Sequence, residues 1–193
     1  HIPQNVSFIE EGNQFHGCLL LDSITVDSRN KTYDSRDGCN AIVGTATDKI
    51  ISGCGKTRIV GSIKEIGSSA FGNSMIKSIT IPANITKIHN GAFWGCRFCT
   101  SISVDPRNPV YDSRNDCNAI IETATHKIIT GCITTDIPQD VVEIGERAFS
   151  RMLLPTFVAI PDNIQKIGEN AFAGCEGIYQ VFIPGSVKEI GAF

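Results

Sequence analysis

Isoleucine and valine recur along the chain at fixed intervals, separated by polar residues. One isoleucine opens each unit, at Ile2, Ile59, Ile81, Ile137, Ile160 and Ile183. Four residues after each stands Val6, Ile63, Ile85, Val141, Ile164 or Val187, and three further on stands Ile9, Ile66, Ile88, Ile144, Ile167 or Ile190. A phenylalanine follows in five units, at Phe15, Phe71, Phe93, Phe149 and Phe172. Self-similarity on this period marks a repeat architecture. Proline usually follows the opening isoleucine (Pro3, Pro82, Pro138, Pro161, Pro184). Lacking an amide hydrogen, it ends a strand. Apolar positions alternate just before it, as in Ile79-Thr80-Ile81, Ile102-Ser103-Val104 and Val181-Phe182-Ile183, which predicts a short strand there. Glycine after the third apolar position predicts a turn, and the following Ala-Phe plugs the core. One unit buries too little apolar surface to offset the ordering of its own backbone. Only stacked neighbours make the array stable.

A longer period overlies the short one. Asp27 to Cys54 matches Asp105 to Cys132 at an offset of 78, with 19 of 28 positions identical. Both segments put aspartate where proline is usual, and both carry Tyr-Asp-Ser-Arg followed by Cys-Asn-Ala-Ile. Ile42-Val43 with Ile50-Ile51, and Ile120-Ile121 with Ile128-Ile129, read as β-hairpins. The expected fold is a mainly β repeat solenoid with short strands, turns and longer hairpin-bearing coils. It forms one domain over 1–193, with regular coils at 1–26, 59–104 and 137–193 and hairpin coils at 27–58 and 105–136.

These residues resemble the BspA-like leucine-rich repeats of bacterial cell-surface proteins, which implies a mainly β, right-handed leucine-rich-repeat solenoid. The resemblance rests on I-P-x-x-V-x-x-I-G-x-x-A-F-x-G-C, nearly whole from Ile160 to Cys175, and spans essentially the full chain. It implies an extracellular or surface-attached protein used in adhesion, with no shared catalytic motif to transfer. The departures are small. Met152 replaces the repeat cysteine, the coil after Phe71 is one residue short, and Gly191 runs straight into Ala192-Phe193. Because His1 falls inside a motif, the chain reads as part of a longer precursor, and its own lack of a signal peptide says little about location.

Composition narrows the partners. The hydrophobic share is 41% and the charged share 19%, enough for a packed core. A net charge of -3 without basic runs disfavours nucleic acid. No apolar run reaches the roughly 18 residues of a membrane span, so this segment is not expected to insert.

The chain has eight cysteines. Cys18, Cys96 and Cys175 occupy one repeat position and are expected to form a buried column of free thiols. Cys99 falls at the core position of Leu21 and Ile178. Cys39 with Cys54, and Cys117 with Cys132, stand where they face each other across hairpins, and whether they are bridged stays open. Without paired C-x-x-C spacing, zinc is disfavoured. His1, His16, His89 and His126 fit no catalytic or metal motif and read as exposed turn residues. Asp34, Asp37 and Asn40, with Asp112, Asp116 and Asn118, have the short oxygen spacing that calcium uses. The favoured reading is Asx-turn chemistry with an Arg36 or Arg114 ion pair. No metal and no cofactor is expected.

The outward strand positions carry the functional signal. They are Ser23/Thr25, Ser78/Thr80 and Ser101/Ser103 early in the chain, then Phe157/Ala159 and Gln180/Phe182. Phe157, Phe182 and nearby Tyr179 are therefore the expected ligand-binding residues, with Trp94 a weaker candidate. The reading is a non-catalytic recognition or adhesion module for a host or matrix protein, or a glycan. Self-association through the same aromatics is a further expectation. The alternative is a structural spacer of a larger surface protein. An enzyme would need convergent acids, bases or nucleophiles, which the sequence does not offer.

Overall fold

The computed structural model describes every residue except Asn13, His16 and Phe193, so the turn assigned to His16 and the terminal Phe193 lie outside the described residues. The early strands are β1 (Tyr33–Asp34), β2 (Ala41–Gly44), β3 (Lys49–Gly53), β4 (Glu65–Ile66), β5 (Ser78–Ile81), β6 (Lys87–Ile88) and β7 (Ser101–Val104). The later ones are β8 (Tyr111–Asp112), β9 (Ile120–Glu122), β10 (Lys127–Thr130), β11 (Glu143–Ile144), β12 (Phe157–Ala159), β13 (Lys166–Ile167), β14 (Gln180–Phe182) and β15 (Glu189–Ile190). The only helical turns among the described residues are 3-10 turns at Arg36–Gly38 and Arg114–Asp116. None is long and apolar enough to cross a membrane.

The strands stack coil on coil as a β-solenoid. Two parallel ladders run along it. The first contains the strands expected before proline, pairing β5 with β7 and β12 with β14 in register. In the first coil this ladder shrinks to a single bridge between Ile2 and Val26. The second ladder uses the Glu-Ile and Lys-Ile pairs before the repeat glycine, where only a turn was expected. It runs β3-β4-β6 and again β10-β11-β13-β15. Its register places Lys49, Glu65 and Lys87 side by side, and likewise Lys127, Glu143, Lys166 and Glu189. Across adjacent strands Lys127 pairs with Glu143 at 3.2 Å and Lys166 with Glu189 at 3.5 Å, which supports that register in the second stack.

Both hairpins form as expected. β2 pairs with β3 and β9 with β10, antiparallel, each with a register shift. β3 and β10 then feed the parallel ladder, so each hairpin coil merges into the solenoid.

The core follows the repeat. Ile63, Ile66, Ile85, Ile144 and Ile164 are wholly buried. Phe71 stacks on Phe93 with ring centroids 5.1 Å apart, and Phe149 on Phe172 at 5.4 Å. Glycine stands at the end of the second strand in one hairpin and just after it in the other, for a steric reason. A Cβ on Gly53 would meet the Phe71 ring at 2.2 Å, and one on Gly131 would meet Phe149 at 2.1 Å.

Asparagines tie successive coils together. The Asn108 amide donates to the Pro82 and Ile85 carbonyls of the preceding coil, at 2.8 and 2.9 Å. Its carbonyl oxygen accepts from the Val110 and Tyr111 amides. Asn30 repeats all four bonds one cassette earlier, while Asn84 and Asn163 repeat the two donated ones. In the hairpin coils the Tyr33 and Tyr111 hydroxyls accept from the Ile9 and Ile88 amides, both at 2.8 Å. A side chain thus takes the place of the missing ladder strand.

Candidate binding surface

The outward face of the first ladder changes character along the array. On β5 and β7 it is a field of exposed Ser78, Thr80, Ser101 and Ser103, with the Thr80 and Ser103 hydroxyls 3.2 Å apart. On β12 and β14 the same positions hold Phe157, Ala159, Gln180 and Phe182. Phe157 is 55% exposed and Phe182 57%. Phe157 lies opposite Gln180 and Ala159 opposite Phe182, so the two phenylalanines are diagonal neighbours on one face. Tyr179, just before β14, is 94% exposed. The structure thus places Phe157 and Phe182 on one face, with Tyr179 exposed at the start of the same strand pair.

Trp94 stands apart. It lies half-buried on the turn side, in a hollow lined by Ser69, Arg147, Ser150, Arg151, Asn170 and Gly174. The Arg151 guanidinium sits 5.1 Å from its ring centroid, a cation–π contact.

Beside the aromatic face lies a groove that sequence reasoning missed. It separates the chain leaving the second hairpin coil from β12. Ile133, Asp136, Leu154, Pro155, Phe157 and Pro161 are among its walls. The same groove occurs one cassette earlier, beside β5, with Gly55, Arg58, Ile76, Ser78 and Pro82 at the equivalent places. Both grooves exist because the hairpin exit does not join the first ladder. The Arg58 and Asp136 amides donate instead to the Cys39 and Cys117 carbonyls, at 2.8 and 3.0 Å. A comparison of the two cassettes shows the signal: Gly55 becomes Ile133, Arg58 becomes Asp136 and Ser78 becomes Phe157.

The cysteines agree with the free-thiol expectation, and depart from it in burial. All eight are free thiols, including Cys39, Cys54, Cys117 and Cys132. The column is only partly buried: Cys96 is fully covered, Cys175 half-buried and Cys18 exposed. A thiol at this position donates to the phenylalanine carbonyl of the coil upstream, Cys96 to Phe71 at 3.2 Å and Cys175 to Phe149 at 3.0 Å. Cys18 sits in the first coil and has no such seat among the described residues. Burial pushes the Cys96 thiol up to about 11. Cys99 is core, as expected, and its thiol faces Cys132 rather than a hairpin partner. The hydrogen bond to Cys132, and then burial, raise Cys99; the same bond lowers Cys132.

Two histidines also depart from the exposed-turn expectation. His89 is half-buried with Nε2 3.0 Å from the Glu65 carboxylate. His126, also half-buried, lies between Arg114 at 3.2 Å and Asp140 at 3.5 Å.

The aspartate loops follow Asx-turn geometry. The Arg36 amide donates to Asp34 Oδ1 at 3.0 Å, and the guanidinium grips both oxygens of the same carboxylate. Arg114 repeats this on Asp112 and adds Asp140. The Asp34 and Asp112 oxygens that calcium would need are therefore engaged by arginine. Asn40 and Asn118 spend their carbonyl oxygens on the Ile24 and Ile102 amides. Among the described residues no group of three or more histidine, cysteine or acidic side chains is placed to hold a metal ion.

Short parallel strands, stacked phenylalanines and an asparagine ladder together define a leucine-rich-repeat solenoid. The chain belongs to the BspA type leucine rich repeat family: residues 51–117 and 121–193 match that repeat region, in 6 copies. Its fold is similar to the crystal structure of a leucine rich cell surface protein from Faecalibacterium prausnitzii, with a TM-score of 0.62 and 21% identity. That similarity covers 92% of this chain and 45% of the neighbour, so the chain spans under half of that protein's length. A leucine-rich repeat protein from Eubacterium ventriosum is also similar, with a TM-score of 0.51 and 17% identity over 92% of this chain and 68% of that one. No curated protein sequence matches the chain.

Proposed function

We propose that the chain is a non-catalytic recognition segment, displayed outside the cell, that binds a protein or glycan through the aromatic end of its strand face. One observation carries this reading. Phe157, Phe182 and Tyr179 are exposed on adjacent coils where the equivalent upstream positions are serine and threonine. Exposed aromatics are costly to leave in water, and when grouped they mark interaction sites. Aromatic anchors dominate protein interfaces, with truncation costing about 2 kcal/mol or more. The fold similarity to a leucine rich cell surface protein supports the location.

The test is a screen of matrix proteins and glycans against the isolated chain, followed by Phe157→Ala and Phe182→Ala. Each variant is expected to weaken capture about tenfold or more with unchanged circular dichroism. Intact capture by the folded double variant would refute the aromatic surface. A chain that captures nothing in the screen would favour a spacer role. Sedimentation of the wild type and double variant measures self-association through the same patch.

A further inference from the structure

We propose that the groove beside β12 receives an extended peptide, which adds as a strand to the free edge of β12 and places one cationic side chain against Asp136. This rests on the recognition reading above and deepens it: the partner is a protein, and the element recognised is a single extended segment.

The backbone supplies the first part of the argument. Among the described residues β12 pairs only with β14, on its downstream side. In a parallel ladder, alternate residues direct their amide and carbonyl toward one neighbour and the others toward the opposite side. The Ile160 amide donates to the Phe182 carbonyl at 3.1 Å, which assigns Ile160 and Val158 to the β14 side. Phe157 and Ala159 therefore turn their amides and carbonyls toward the groove. Across it, the chain leaving the hairpin does not answer them, because the Thr135 and Asp136 amides go to the Cys132 and Cys117 carbonyls. Exposed strand edges are templates for another strand, and adding one is a recurrent way to bind peptides.

The walls supply the second part. The groove encloses about 220 Å³. That is below the roughly 300–1,000 Å³ of small-molecule pockets and suits one side chain of a longer ligand. Ile133, Leu154, Phe157 and Pro161 give it apolar walls beside the polar Thr135 and Asp136. Asp136 is exposed, and among the described residues its carboxylate has no ion-pair or hydrogen-bond partner. An unpaired carboxylate among apolar walls matches a lysine or arginine, whose aliphatic stem packs while its head meets the charge.

The equivalent groove beside β5 is an internal control. It holds Arg58 in place of Asp136, and this guanidinium already donates to the Asp37 and Gly38 carbonyls at 3.0 and 3.3 Å. Its remaining walls include Gly55, Ser78 and Thr80 in place of Ile133, Phe157 and Ala159. It offers a cationic peptide no carboxylate at the Asp136 position and lacks the apolar side chains of Ile133 and Phe157.

The experiment uses fluorescence anisotropy of the full chain with three labelled hexapeptides. One alternates valine with lysine, one alternates valine with glutamate, and one is the lysine peptide with its central amides replaced by esters. The lysine probe is expected to bind, the glutamate probe about tenfold more weakly, and the ester probe several-fold more weakly because it lacks ladder donors. Asp136→Lys should reverse the preference between lysine and glutamate probes. Ala159→Pro, which removes an amide on the groove side only, should abolish binding, and Arg58→Ala should change nothing. If Ala159→Pro fails to fold by circular dichroism, the ester probe carries the same question from the ligand side. Equal binding of lysine and glutamate probes, an ineffective Asp136→Lys, or no binding at all overturns the proposal. Phe182 lies outside the groove, so it separates the two readings. If Phe182→Ala abolishes capture of a partner that Asp136→Lys and Ala159→Pro leave untouched, the recognition surface stands and the peptide groove falls.

Discussion

Among individual residues, the asparagines that bond the preceding coil do the most for their size. Asn108 makes four hydrogen bonds, but the buried Asn163 carbonyl oxygen has no partner. Asn108→Ala leaves two carbonyls and two amides unmet and is expected to cost about 1–3 kcal/mol. Asn163→Ala should cost less, since only two carbonyls lose a donor. Urea unfolding of both variants checks the order. Asp105 gives a pH signature. The hydrogen bonds from Arg107, side chain first and then backbone, hold its carboxyl near 2, below the ordinary 3.8. A depressed carboxylate stabilises the fold above its ordinary value, and that contribution disappears as pH falls through about 2. Arg107→Ala should return the Asp105 titration toward 3.8, read by carboxyl carbon NMR. Thiol titration of denatured, unreduced protein should find all eight cysteines. A count of six or fewer would mean that at least one pair is bridged. The core cysteines were legible as repeat positions. The Cys99–Cys132 contact was not, because it joins a regular coil to a hairpin coil, and neither period reports that approach.

For elements, legibility followed the strength of local alternation. The strands before proline and both hairpins were readable, since apolar and polar residues alternate there and turn residues bound them. The Glu-Ile and Lys-Ile strands were not. Each is two residues long and has no alternation of its own; it is a strand only because the next coil supplies its ladder partner. The free edges of β5 and β12 escaped for the same reason, since pairing is a property of neighbours. The hairpin coils depend on the close fit of glycine to phenylalanine. Gly131→Ala places a methyl 2.1 Å from the Phe149 ring and is expected to cost about 1–3 kcal/mol, measured as a lower urea midpoint. Gly185→Ala, where a Cβ meets nothing within 4 Å, is the control.

At the scale of the molecule, the array works as a nearest-neighbour stack. Each isoleucine column is closed by the coil on either side, so damage at the centre should spread further than damage near an end. Ile144→Ala, fully buried among the middle coils, is expected to cost about 2–5 kcal/mol. Ile190→Ala, 48% exposed, should cost far less, and thermal unfolding of both variants measures the difference. The solenoid and its two-level repetition were legible because repetition multiplies a weak local pattern. The aromatic face was legible because outward positions follow from the alternation. The groove beside it was not, because it arises where one period interrupts the other.

That interruption also bears on inheritance. The unit that repeats with a whole groove is a cassette of 78 to 79 residues, Arg58 recurring as Asp136 and Ser78 as Phe157. A gene that lengthens by copying this segment gains one groove with each copy, already folded and already spaced. Substitution at the Arg58 or Asp136 position then changes the charge of one groove while leaving the isoleucine columns alone. Core packing and groove charge are therefore written at separate codons, and the latter is free to diverge while the former is held.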